Sequence, residues 1–151
     1  MNSHGGQPQI IDIVARDLHV KYEDFEVFPF FTWRVPHITK QLMTEKEGLL
    51  GIHAGDAETS LMMAILPDQV RTDRFVCEYP PDLPNDSLLT LERNLSIPWV
   101  TRDISKSGVI GDATAATKEK GDRIWESLAK GWAEVIVDVH EFQQPQLWKE
   151  P

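Results

Sequence analysis

Gly48-Leu49-Leu50-Gly51-Ile52-His53-Ala54-Gly55-Asp56-Ala57-Glu58-Thr59-Ser60-Leu61-Met62-Met63-Ala64-Ile65-Leu66 is the stretch whose reading decides the fold class. Residues 48–54 form a short apolar run ending in small residues, which reads as a strand entering a loop. Residues 58–66 read as a helix, and Pro67 ends it because proline cannot continue the backbone ladder. A strand, a small-residue loop and a helix in succession is a building unit of a layered α/β fold. The loop brings His53 and Glu58 together, and Ala54, Gly55 and Ala57 leave room beside them for a substrate. Glu58 falls in the first helical turn, where the positive helix end stabilises a carboxylate by a few tenths to about 1 kcal/mol. That dipole alone would account for Glu58, and capping would account for Asp56 or Thr59. A His/Glu pair at this spacing matches no dedicated zinc signature.

Outward from this stretch, further helices and strands alternate. Pro8 suits a first helical turn, and Ile10, Ile11, Val14 and Leu18 recur at helical spacing, so residues 8–20 are expected to be an amphipathic helix. Residues 26–33 (EVFPFFTW) read as a strand with a bulge or edge position at Pro29. Residues 36–48 are ambiguous between loop and short helix. Pro80, Pro81 and Pro84, with Pro98 just beyond, imply an irregular excursion over residues 77–97. Trp99 to Asp103 reads as a strand or loop edge, and residues 107–112 as a turn-rich connector. Residues 115–142 carry the clearest helical stripe: Ile124, Leu128, Trp132, Val135, Val139 and Phe142. Gly121 and Gly131 interrupt it at a cost of about 1 kcal/mol each relative to alanine, which packing has to offset. The tail 143–151 reads as loosely ordered. The resulting expectation is an α/β fold with a largely parallel sheet.

Bulk properties narrow the function. A chain of 151 residues fits one domain with a sizeable core. A net charge of −9 argues against nucleic acid and against an anionic membrane surface, both of which repel an acidic protein. Cys77, the single cysteine, cannot form an intrachain disulfide and reads as a small buried hydrophobe. No apolar run reaches the roughly 20 residues of a membrane helix. No basic segment followed by an apolar one opens the chain, so the cytoplasm is the expected location.

Beyond His53 and Glu58, His4 sits in a Gly-Gly loop before a helix, where backbone can approach a ligand closely. Such a histidine can bind metal, although a position so near the terminus is also where chains fray. His19 and His140 lie near helix ends and suit the dipole there, and His37 follows a proline in a loop. Trp33 and Trp99, at strand or loop edges, are candidates for a substrate pocket wall. Trp125 and Trp132 belong to the last helix and are expected to pack. Asp112, after Gly111 in a turn, could reach a site; its local spacing favours capping.

Three ordered segments resemble the creatininase family of metal-dependent amidohydrolases. Asn2-Ser3-His4-Gly5-Gly6-Gln7 is similar to the family's Asn-Gly-His-Gly-Gly-Asn loop, with Ser3 and Gln7 as departures. His53-Ala54-Gly55-Asp56-Ala57-Glu58-Thr59-Ser60 is similar to its His-Ala-Gly-x-x-Glu-Thr-Ser segment. Gly111, Asp112, Ala116, Thr117, Glu119, Lys120 and Gly121 match a third, later segment. The resemblance implies a three-layer α/β/α sandwich and hydrolysis of an amide or cyclic amide of a small molecule. It implies a divalent metal, zinc first and manganese or iron as alternatives, with His4 and Glu58 as ligands and His53 as the proton-transfer residue. It also implies a homo-oligomer, and an N-terminal portion of the fold, carrying further ligands, that this chain lacks and that a separate N-terminal half could supply. A noncatalytic assembly or binding protein with an incomplete metal site is the competing expectation.

Overall fold

A computed structural model describes residues 1–22, 24–82, 87–92 and 95–142. The chain divides into two units: residues 1–37 with the segment from Ser127 onward, and residues 38–126. The expected tail at 143–151 lies outside the described residues.

In the first unit, α1 runs Pro8–Lys21 with the proline at its start and His19 and Lys21 in its last turn, where cations complement the helix end. The aromatic stretch 26–33 does not form the expected strand. It is irregular to Phe31 and enters a 3₁₀ turn at Thr32–Arg34. Its one ladder contact is a parallel bridge between Phe31 and Asn2. Pro29 has no N–H to donate, which helps to stop a ladder from extending. The aromatics pack instead: Phe28 meets Phe142 edge-on at 5.2 Å and Phe30 lies 6.0 Å from Trp132.

In the second unit the short helices α2 (Thr39–Leu42) and α3 (Glu45–Leu50) come first. The expected strand over 48–54 is therefore corrected: its first three residues complete α3. The Thr44-x-x-Glu47 spacing is a helix-start signal that outweighs the short apolar run, and the Thr44 hydroxyl accepts from the Glu47 N–H at 3.2 Å. Helix α4 spans Asp56–Ile65, matching the expected helix with an earlier start, and Pro67 follows its end. Strand β1 is Cys77–Glu78, α5 is Thr101–Ile104 where a strand or loop edge was expected, and β2 is Gly111–Asp112.

The expected largely parallel sheet is not what the described residues show. Strands β1 and β2 pair antiparallel, Cys77 with Asp112 and Glu78 with Gly111. His53 and Ile110 form an antiparallel bridge, and the parallel contacts, Asn2 with Phe31 and Thr90 with Ser96, are single bridges. Cys77 is exposed rather than buried, because a two-residue strand covers so little of it.

Helix α6 (Lys118–Glu141) is the longest element. Ile124 and Leu128 on its expected apolar stripe are buried, while Trp125, expected to pack, is exposed. Its two glycines are close-approach positions. A Cβ at Gly121 would overlap the Ser60 carbonyl oxygen, and one at Gly131 would overlap the carbonyl oxygen of Pro36. Alanine would normally gain about 1 kcal/mol over glycine inside a helix. Here Gly121→Ala and Gly131→Ala are each expected to cost about 1–3 kcal/mol through overpacking. Urea denaturation of both variants checks the sign; a rise in stability at either would remove the close-approach explanation.

Candidate functional site

The loop from Ile52 to Ser60 is built on a backbone that few non-glycine residues adopt. Ala54 has φ +51°, in the left-handed region, which costs of order 1 kcal/mol for a residue with a Cβ. Side chains of α4 hold the Ala54 peptides from two sides. Glu58 Oε2 accepts from the Ala54 N–H at 2.6 Å, and the Thr59 hydroxyl donates to the Ala54 carbonyl at 3.0 Å. On the other flank, the His53 carbonyl accepts from Ile110 N–H at 2.7 Å. The exposed His53 ring is thereby turned so that Nδ1 lies 3.7 Å from Glu58 Oε2, an ion-pair distance longer than a hydrogen bond. The structure thus brings together two of the residues singled out from sequence, His53 and Glu58.

Beneath the loop lies a buried network that sequence reasoning missed. Asp56, 1% exposed, pairs with Lys120 Nζ at 2.5 Å and accepts from the Ser60 hydroxyl at 3.0 Å. Ser60 in turn accepts from the Thr117 N–H at 3.0 Å, and Lys120 also donates to the Ala115 carbonyl at 2.9 Å. This ties α4 to the start of α6. Glu47 is buried as well, and its carboxylate accepts from the Asp56 and Asp112 N–H groups and the Tyr79 hydroxyl. Burial, then the adjoining Glu47 carboxylate, pushes the Tyr79 phenol well above its ordinary range. Contacts between residues 9 to 65 positions apart leave no local pattern; the Thr44-x-x-Glu47 spacing identified the helix but not the inward turn of the side chain.

The other candidates are placed one by one. Asp112 caps the turn Ala113–Ala115: its carboxylate accepts from the Thr114 N–H at 3.0 Å and from the Thr114 hydroxyl. That hydroxyl is the main influence holding the Asp112 carboxyl below its usual range. The Trp99 indole N–H donates to the Leu91 carbonyl at 2.8 Å. In the first unit, the Trp33 ring stands edge-on to His37 at 5.9 Å. His4 is exposed but not frayed. The Asn2 amide clasps it, donating to the His4 carbonyl at 2.8 Å and accepting from its N–H at 3.1 Å. Asn2 itself is bonded on both sides to Phe30 and Thr32.

Glu78 anchors the connector after α5. Its carboxylate accepts from the Lys106 N–H at 2.7 Å, the Ser107 N–H at 2.9 Å, the Ser105 hydroxyl at 3.1 Å and the Ser107 hydroxyl. The Lys106 N–H leads these donors in lowering the Glu78 carboxyl to about 2. Because the folded value lies below the ordinary 4.5, the stabilisation is complete above that value and is lost as pH falls through about 2. Glu78→Gln is therefore expected to be less stable than the parent at neutral pH, with the gap closing towards pH 2. A series of urea denaturations across this range measures it, and a pH-independent gap would contradict the assignment.

Among the described residues no three His, Cys, Asp or Glu side chains gather closely enough to hold a metal ion. A catalytic zinc takes three protein ligands and a water. The second unit offers His53 and Glu58, and one oxygen of Glu58 is already engaged by the Ala54 N–H. The residues described do not by themselves fit a complete hydrolytic metal centre. No helix among them is long and apolar enough to cross a membrane.

Comparisons with known proteins point to one family. The creatininase family profile, described as creatinine amidohydrolase, matches residues 1–136. A creatinine amidohydrolase of Pseudomonas putida is 33% identical over 133 residues, covering 83% of this chain and 47% of the relative. A mycofactocin precursor peptide peptidase of Mycolicibacterium smegmatis is 37% identical over 84 residues, covering 56% of this chain and 32% of the relative. This chain therefore spans half or less of the length of these curated relatives. Among solved structures, a Bacteroides fragilis protein assigned as a creatinine amidohydrolase shares the fold with a TM-score of 0.73 at 23% identity, over 92% of this chain and 51% of that one. A structure named Creatininase Mn aligns with a TM-score of 0.60 at 31% identity, over 87% of this chain and 50% of its own. With the three motifs and a family profile that matches residues 1–136, the chain belongs to the creatininase family.

Proposed function

We propose that this chain is the part of a small-molecule amidohydrolase that supplies the proton-transfer residue. The observation that carries the reading is the strained Ala54 peptide, held from α4 so that the His53 ring faces Glu58. Strain at a side-chain-bearing loop persists only where the surroundings enforce it, and such positions concentrate at functional sites. In amide hydrolysis the oxygen of water adds to the carbonyl carbon, the C–N bond breaks and the departing nitrogen takes a proton. With Nδ1 turned towards Glu58, His53 has Nε2 free to deliver that proton. Trp33, Trp99 and Asp112 are each proposed as substrate-contacting residues. The names of the relatives, one acting on creatinine and others on a precursor peptide, support a cyclic or peptide amide as the bond cleaved.

The resemblance makes His4 and Glu58 metal ligands. Solved relatives named for manganese and for a Zn-Zn form support a divalent ion, and we favour zinc, with manganese or iron as alternatives. The remaining donors would come from further protein, in the same molecule or in a separate N-terminal half. The complete protein would adopt the three-layer α/β/α sandwich with a parallel sheet and assemble as a homo-oligomer in the cytoplasm. Exposed Ile10, Ile13, Val14 and Val20 on α1 support the assembly. A second reading, a noncatalytic binding or assembly protein, is favoured by the absence of any three-ligand cluster among the described residues.

Elemental analysis and amidase assays separate the two. The chain alone is expected to bind zinc or manganese weakly and to leave creatinine and short peptide amides intact. Fused to the N-terminal half of its Pseudomonas putida relative, it should retain metal through dialysis and hydrolyse one of these amides. In that fusion His4→Ala and Glu58→Ala should each lower metal content. Full metal in both variants would sink the ligand assignment, and an inactive, metal-free but folded fusion would favour the second reading.

A further inference from the structure

We propose that Glu47 is the positioning residue of the His53–Glu58 loop, acting as a helix cap supplied from outside the helix. The first N–H groups of a helix need an acceptor, ordinarily the side chain of the N-cap residue. The N-cap of α4 is Gly55, which has no side chain to offer. Glu47 Oε1 takes that place, accepting from the Asp56 N–H at 2.8 Å. Its other oxygen accepts from the Asp112 N–H at 2.9 Å and the Tyr79 hydroxyl at 3.0 Å. One buried carboxylate therefore fixes the start of α4 against β2.

The surroundings are shaped for this group. A Cβ at Gly51 would lie 2.7 Å from the Glu47 carboxyl carbon, one at Gly111 would lie 2.8 Å from Oε1, and one at Gly55 would overlap Oε1. Three glycines thus leave the carboxylate its room, and a conventional Ser, Thr or Asp cap at position 55 is excluded by the same contact. A local cap would start the helix equally well, but it could not set the helix against β2. The remote cap does both. Glu58 stands in the first turn of the helix so placed, and through its bond to the Ala54 N–H it determines how His53 is presented. A core role alone would need neither the two-oxygen division of donors nor a glycine at the cap.

The readout is the amide proton of Ala54. Its short bond to the Glu58 carboxylate is charge-assisted and should place it far downfield in the ¹H–¹⁵N spectrum of the full chain. In Glu47→Gln the amide nitrogen turns donors towards one of the three donors now satisfied. The Ala54 resonance is expected to move upfield, and hydrogen exchange at Ala54 and Asp56 to accelerate on the order of tenfold or more. Gly55→Ala keeps the carboxylate but displaces Oε1, and should move Ala54 in the same direction. Tyr79→Phe, which leaves both backbone bonds in place, and the core control Ile104→Val should leave it unmoved. A folded Glu47→Gln or Gly55→Ala protein with an unmoved Ala54 resonance overturns the proposal, as does an equal shift in Ile104→Val. Failure of both Glu47→Gln and Gly55→Ala to fold assigns Glu47 to core stability and also overturns it. The functional importance of the clamp rests on the proposed role of His53 in proton transfer, which is tested separately: normal turnover in His53→Ala overturns that role, while a shifted Ala54 still supports the clamp.

Discussion

Lys120→Met is expected to destabilise the unit formed by residues 38–126 by about 3–5 kcal/mol, because it removes one partner of a buried ion pair. Asp56 is 1% exposed and has no route to water. After the substitution its carboxylate keeps only the Ser60 hydroxyl as a side-chain donor. The reciprocal change should cost less. Lys120 is 27% exposed at its side chain, so in Asp56→Asn the ammonium can move into solvent and the amide can still accept from Ser60. The ordering of the two variants in urea denaturation, Lys120→Met below Asp56→Asn, is the discriminating result. Equal losses would mean that the pair behaves as a surface bridge, worth about 1 kcal/mol or less. The network also joins α4 to α6, so the loss should appear in hydrogen exchange at Ser60 and Thr117 before it appears in the first unit.

His53→Ala in the metal-loaded fusion is expected to lower kcat on the order of 10²-fold or more, the usual worth of a general acid or base. The His53 side chain is 55% exposed, so the variant should fold normally. Metal content should also hold, since His53 is assigned to proton transfer and not to coordination. The combination of retained metal with lost turnover is what separates it from His4→Ala and Glu58→Ala. Normal turnover in His53→Ala would show that another group protonates the leaving nitrogen. Loss of metal would move His53 into the ligand set.

Helices α1, α4 and α6 were legible because each carries its own instructions. Pro8 starts the first, Pro67 closes the second, and the third carries an apolar stripe whose first members, Ile124 and Leu128, are buried. The motifs around His4, His53 and Asp112 likewise identified the family from residues alone, and their order along the chain is a property of the sequence. The helix α3 was legible in principle, through Thr44 and Glu47, but the run of leucines and glycines at its C-terminal end imitated a strand.

What the chain could not announce was decided by contacts between distant residues. Whether residues 26–33 form a strand depends on a hydrogen-bonding partner, and the segment around Asn2 supplies a single bridge. The cost of Gly121 and Gly131 was visible, but its compensation lies in the Ser60 and Pro36 carbonyls they approach. The burial of Glu47 and Asp56 and the pairing of Lys120 with Asp56 left no mark in the sequence, because periodicity reports which face a residue occupies and not which charge awaits it inside. Burial makes such groups costly unless every lone pair finds a donor. The sequence by itself therefore determined the helices, the family and the identity of His53 and Glu58. Only the tertiary structure decided how those two side chains face each other, since a left-handed Ala54 and a cap from Glu47 are stable only once the loop, α4 and β2 have closed around them.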